Sequence, residues 1–132
     1  LKAQLVVDQA SGKVICTAYG TGRIHDFRLL KNTQIRFHNS QLCLADKGYQ
    51  GIARLHASSC IPAKKPRGEV LSTCERQHNR HLASLRIFGE HIHRRLKIFR
   101  ILKEQYRNRR RRFGLRCNLI AGLLNYELAL FS

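Results

Sequence analysis

Gln41-Leu42-Cys43-Leu44-Ala45-Asp46 is an apolar run that ends on an acid, and Lys47-Gly48-Tyr49-Gln50-Gly51 follows it as a turn. A short, uninterrupted apolar run bounded by a turn is the pattern of a strand buried on both faces, as in an α/β sheet. Open α/β sheets place their sites at the carboxyl ends of such strands. A carboxylate there is costly to bury unless it meets a cation or a metal. Asp46 is therefore the first candidate site residue.

The elements on either side agree with an α/β chain. Residues 3–8 read as a strand, Gln9-Ala10-Ser11-Gly12 as a turn and residues 13–19 as its antiparallel partner. Gly20-Thr21-Gly22 breaks the hairpin. His25-Asp26 then opens a short helix to about Asn32, with Asp26 at the positive end of its dipole. Residues 52–56 read as a helical turn and Ser59-Cys60-Ile61-Pro62 as one more short strand. Residues 63–69 form a polar loop. Ser72 and Glu75 have the spacing of a capping box, and a long helix is expected from there to about Lys103. Residues 105–112 are a basic break, and 113–131 read as a final apolar helix in spite of Gly114 and Gly122. The expected organisation is one α/β domain over 1–132: strands and a short helix in 1–62, a linker at 63–71, and two helices in 72–132.

Composition narrows the partners. The 132 residues carry 25 Lys and Arg against 8 Asp and Glu, a net charge of +17, with 43% hydrophobic residues. Such a chain is globular and attracts polyanions: DNA, RNA or an anionic membrane surface. The longest stretch without Asp, Glu, Lys or Arg, residues 117–126, is half the roughly 20 residues that a spanning helix needs. The opening residues read as a strand rather than a signal peptide. With Leu1 first and no Met, the chain reads as the back part of a longer reading frame. The five cysteines, 16, 43, 60, 74 and 117, lack Cys-x-x-Cys spacing and are expected to be reduced, buried thiols of a cytosolic protein; a zinc site is not expected.

The long helix carries the second acid. With Glu90 at the origin of a helical wheel advancing ~100° per residue, Arg86, Arg94 and Lys97 fall beside it and His93 close by. Leu85, Phe88, Ile92, Leu96, Phe99 and Leu102 fall on the opposite half, while Ile101 falls on the polar side and contradicts the pattern. An ordinary amphipathic helix, with Glu90 paired to arginines one turn away, accounts for this arrangement. So does a site in which Asp46 and Glu90 converge to hold Mg²⁺ or Mn²⁺ against phosphate oxygens, with Arg86, Arg94 and Lys97 gripping DNA.

Ala45-Asp46-Lys47-Gly48-Tyr49-Gln50-Gly51 resembles the second-aspartate motif of bacterial insertion-sequence transposases with an RNase-H-like DDE domain, most of all the insertion sequence five family. Arg86, Glu90 and Lys97 match the spacing of that family's Arg-Glu-Lys signature, and the tyrosine that precedes it is replaced by Ala83. His25-Asp26-Phe27, Arg94-Arg95-Leu96-Lys97, Tyr106-Arg107-Asn108-Arg109 and Asn118-Leu119-Ile120-Ala121-Gly122 also look like family segments, so the resemblance covers nearly the whole chain. It implies that Asp46 and Glu90 are the second and third catalytic acids and bind two divalent metals, Mg²⁺ or Mn²⁺. It implies double-stranded DNA, transposon ends and target, as the substrate. Arg86 and Lys97 are then assigned to phosphate contact or to fixing Glu90. Arg94, Arg107, Arg109, Arg110, Arg111 and Arg112 are candidates to track the DNA backbone, the arginine run reading equally as a solvated linker. An upstream transposase half and a second copy are the further partners implied, in a bacterial cytoplasm at the nucleoid.

The family's first aspartate lies on a strand before the hairpin that opens this sequence. Asp8 and Asp26 are given structural roles instead, and the chain alone is expected to be inactive. A non-catalytic basic DNA-binding module, a transposase remnant and a subunit that completes a site in trans are the competing functions.

Overall fold

The computed structural model describes residues 1–98 and 112–131. The chain divides into two compact units, one formed by Leu1–Ile24 with Phe88–Ser132 and the other by His25–Ile87. It is mixed α/β: β1 (Lys2–Val7), β2 (Val14–Gly20), α1 (Asp26–Asn32), β3 (Cys43–Leu44), 3₁₀ turns at Lys47–Tyr49 and Ile52–Arg54, β4 (Ser59–Cys60), α2 (Thr73–Lys97) and α3 (Phe113–Leu130).

In the first unit β1 and β2 form the expected antiparallel hairpin, paired from Lys2 opposite Gly20 to Val7 opposite Val14, with a bulge at Val6/Val7. Asp8 closes the turn: its carboxylate accepts hydrogen bonds from the Ser11 amide, at 3.0 Å, and from the Ser11 hydroxyl. These bonds hold the Asp8 carboxyl below the usual carboxylate range. The core lies between hairpin and helices, where Val14, Ile92, Leu96, Ile120, Ala121 and Leu124 meet, with Leu5, Val7 and Leu128 around them. Burial of each large side chain there is worth roughly 1.5–3 kcal/mol. Two asparagines fix α3 on β2. The Asn125 amide accepts from Val14 N–H at 2.8 Å and donates to Val14 C=O at 2.9 Å, while Asn118 meets the Thr17 hydroxyl. Seven residues apart, they share one face of α3.

In the second unit the run at 41–45 is less of a strand than its composition predicts. Only Cys43 and Leu44 pair, in parallel with Ser59 and Cys60; both are half-buried, and Leu42 is 60% exposed. The strand is cut short on both sides by hydrogen bonds that draw its ends into turns, from backbone and side chains alike. The Gln41 amide donates to His38 C=O, the Gln41 carbonyl is taken by His56 Nε2 at 2.6 Å, and Asp46 turns the chain into a 3₁₀ turn. On the partner side Pro62 has no amide to continue the ladder.

α2 starts at the expected capping box, with Ser72 N–H donating to Glu75 Oε2 at 2.8 Å and Glu75 N–H to Ser72 Oγ at 3.1 Å. The helix runs to Lys97, where Ile98 N–H closes a turn on Arg95 C=O, and the expected continuation to about Lys103 lies outside the described residues. Its buried apolar positions are Leu82, Ile92 and Leu96; Leu85 is only half-buried and Phe88 is 42% exposed, because the Phe88 ring lies along the hairpin turn at Gly12. Phe99, Ile101 and Leu102 lie outside the described residues. His93 is a second departure. It is half-buried and hydrogen-bonded to the Ala3 backbone rather than solvated beside Glu90, and burial pushes its pKa down. The cysteines depart from expectation too. All five are free thiols, but only Cys117 is buried and Cys74 is exposed. Among the described residues no helix is long and apolar enough to cross a membrane.

Candidate active site

Asp46 is built into the second unit by its neighbours on both sides. Ala45 N–H donates to Cys60 C=O at 3.0 Å, the last bond of the β3–β4 pair, and the next residue leaves the sheet. Asp46 then caps the 3₁₀ turn Lys47–Tyr49. Its Oδ1 accepts from Lys47 N–H at 2.7 Å, and its carbonyl accepts from Tyr49 N–H at 3.0 Å. The carboxylate projects into solvent, with the side chain 59% exposed. Arg86 Nη1 lies 3.4 Å from the same Oδ1, its own side chain largely covered. The acid at the end of the strand is thus held by an arginine of α2.

The motif around Asp46 is explained by close approach. A Cβ at Gly48 would stand 2.7 Å from Asp26 Oδ2, so any larger residue there would make the Asp26 carboxylate shift. Gly51 has φ +90°, a left-handed conformation that L side chains adopt with strain. Tyr49 sits half-buried between these groups. Burial first, and then the charges of Asp26 and Asp46, push its phenol up to about 12. Asp26 is the neighbour that sequence reasoning missed. Its place in the first turn of α1 was predicted, but its packing beside Gly48 and Tyr49 has no local sequence signal.

Glu90 follows Arg86 by one turn of α2 and is exposed, in the first unit. Arg94 and Lys97 are exposed in the last turns of the helix, while Arg95 pairs with Glu127 of α3 at 3.0 Å. Arg112 is exposed at the N-cap position of α3; Arg107, Arg109, Arg110 and Arg111 lie outside the described residues. Among the described residues no three His, Cys, Asp or Glu side chains gather into a metal cage. Asp46 offers an exposed carboxylate whose two described contacts both fall on Oδ1, an oxygen donor of the kind a divalent ion takes, and Glu90 is an exposed carboxylate of the first unit.

The DDE superfamily endonuclease family matches residues 1–125, and the chain belongs to that family. Among curated proteins it is 56% identical over 130 residues to the "Probable transposase for insertion sequence element IS702" of Microchaete diplosiphon. That match takes in 98% of this chain but 47% of the relative, so the chain spans about half its length. No solved structure gives a significant match.

Proposed function

We propose that this chain is the carboxy-terminal part of a DDE transposase with an RNase-H-like catalytic domain, cleaving and joining double-stranded DNA at transposon ends. In this reading Asp46 and Glu90 are two of its catalytic acids. The observation that carries it is the Arg86–Asp46 pair: the acid of the aspartate motif is gripped by the arginine of the glutamate signature. Arg86 orients the Asp46 carboxylate and offsets its charge. Asp46 and Glu90 would hold Mg²⁺ or Mn²⁺, which when bound activates the attacking oxygen and stabilises the leaving one. Arg94, Lys97 and Arg112, with Arg107 and Arg109 to Arg111, bind phosphates. Family membership and the motifs support these assignments.

Two acids do not complete a three-acid site, so the chain alone is inactive and works with an upstream transposase half. The test joins this chain to the upstream half of the Microchaete relative and follows Mg²⁺-dependent nicking of DNA that carries the element's ends. Asp46→Asn or Glu90→Gln should cost more than the roughly 10–100-fold that loss of an outer-shell partner costs. Undiminished cleavage by either variant would remove the assignment, and robust nicking by the isolated chain would reject the missing-acid reading.

The net charge of +17 favours one other function, a non-catalytic DNA-binding module. It predicts binding that weakens steeply with salt and ignores both Mg²⁺ and the loss of Asp46.

A further inference from the structure

Asp46 has an electrostatic difficulty as a metal-binding acid. Arg86 Nη1 stands 3.4 Å from its Oδ1, and the two charges cancel. Affinity for a divalent cation follows the number of negative groups around it. A carboxylate already matched by a guanidinium attracts such an ion weakly, and a second negative charge beside the pair restores the attraction. Helix α1 of the same unit brings one. Asp26, in its first turn, is half-buried, and its carboxylate stands over Gly48, two residues beyond Asp46. A Cβ at Gly48 would come to 2.7 Å from Asp26 Oδ2 and 3.5 Å from its Cγ, so glycine leaves the carboxylate room where it stands.

We infer that Asp26 is a positioning residue of the Asp46 site: from its seat on Gly48 it supplies the charge that draws a divalent cation to Asp46, without being a ligand itself. This rests on the reading of Asp46 as a metal-binding acid. Tyr49, the residue after Gly48, senses the field of the group. Asp26 and then Asp46 oppose ionisation of its phenol, each more strongly than Arg86 favours it. A cation at that side of the loop therefore meets net negative charge in spite of the arginine, and of the two acids Asp26 acts more strongly at the phenol. Charges that are partly buried are also screened less by salt than exposed ones. The division of labour is simple. Asp46 presents the donor oxygen, Arg86 orients it, and Asp26 offsets the cost of having an arginine there. Gly48 serves the same end, because a side chain at that position would move the Asp26 carboxylate from its place.

The experiment is a titration of the whole chain with terbium(III), a cation that takes oxygen ligands and emits when a nearby phenol is excited, with Tyr49 as the antenna. Saturable emission that both Tyr49→Phe and Asp46→Asn remove is expected. Asp26→Asn, which keeps the shape and loses the charge, should raise the dissociation constant roughly fivefold or more. Asp26→Glu, which keeps the charge, should recover most of the affinity, and Gly48→Ala should lower it. Circular dichroism follows the fold of each variant. If Asp26→Asn does not fold, Asp26→Glu and Gly48→Ala carry the test, and unchanged affinity in Gly48→Ala counts against the inference. If Asp26→Asn binds as tightly as the unaltered chain while Asp46→Asn does not bind, the inference falls and the reading of Asp46 stands. If Asp26→Asn and Asp26→Glu lose affinity alike, the carboxylate only packs, and the inference falls again. If no emission depends on Asp46, the metal reading of that residue falls and takes this inference with it.

Discussion

In the first unit Val14 of the hairpin, Ile92 and Leu96 of α2 and Ile120, Ala121 and Leu124 of α3 meet in one apolar cluster. In the second unit the buried apolar residues, Leu29, Leu30, Ile52 and Leu82, come one or two to an element, and hydrogen bonds fix the loops between them. His56 holds Gln41, Asn79 holds Ala63 through both ends of its amide, and Arg86 holds Asp46. Water-excluding mass lies in the first unit, and the aspartate motif lies on polar pins in the second. Pins of this kind are directional, so they set a carboxylate at a stated place without burying it.

If burial supports the first unit, Leu96→Ala, at a position 3% exposed, should cost about 2–5 kcal/mol in urea unfolding. Leu55→Ala, at a position 56% exposed, should stay within about 0.5 kcal/mol. Equal effects would erase the contrast. Asn125→Ala should cost about 1–3 kcal/mol, because Val14 loses partners for both its amide and its carbonyl. Asn79→Ala poses the same question of Ala63, and a smaller loss there would show that water reaches the second unit's pins more easily.

His93 gives the first unit an acid limb. Its folded pKa lies below the ordinary 6.5, mainly through burial and further through Lys97, with a backbone hydrogen bond at Ala3 opposing them. The neutral ring is favoured by folding. The stability tied to it is complete above pH 6.5 and is lost as pH falls below that value through the folded pKa. His93→Gln should flatten thermal stability over that range. Tyr49 gives the second unit an alkaline limb. Its phenol ionises at about 12 when folded and near 10 when unfolded, so the associated stability is lost as pH rises between them. Asp46→Asn should lower the Tyr49 midpoint in an ultraviolet titration, leaving the larger effect of burial in place. An unmoved midpoint would separate the two side chains.

The same contrast explains what could be read from the residues alone. Hairpin, capping box and terminal helix follow from alternation, turn chemistry and an apolar run, and each stands within a residue or two of its expected place. The strand at 41–45 shrank because Gln41 and Asp46 spend their polar groups on turns, which a hydrophobic pattern does not register. Asp46, Arg86 and Glu90 were identified by motif, whereas Asp26 beside Tyr49 and Arg86 on Asp46 depend on packing between segments distant in sequence. His93 left the polar stripe because strand β1 offered it a backbone partner.

The paired bonds of Asn125 and Asn79 have a chemical corollary. In each, a side-chain nitrogen faces a carbonyl and a side-chain oxygen faces an amide, so the residue acts as a short length of extra strand. Deamidation to aspartate would keep the oxygen's bond and turn the nitrogen's into repulsion between two acceptors. The seating of α3 on β2, and of α2 on the loop at Ala63, therefore depends at each point on the persistence of one amide nitrogen.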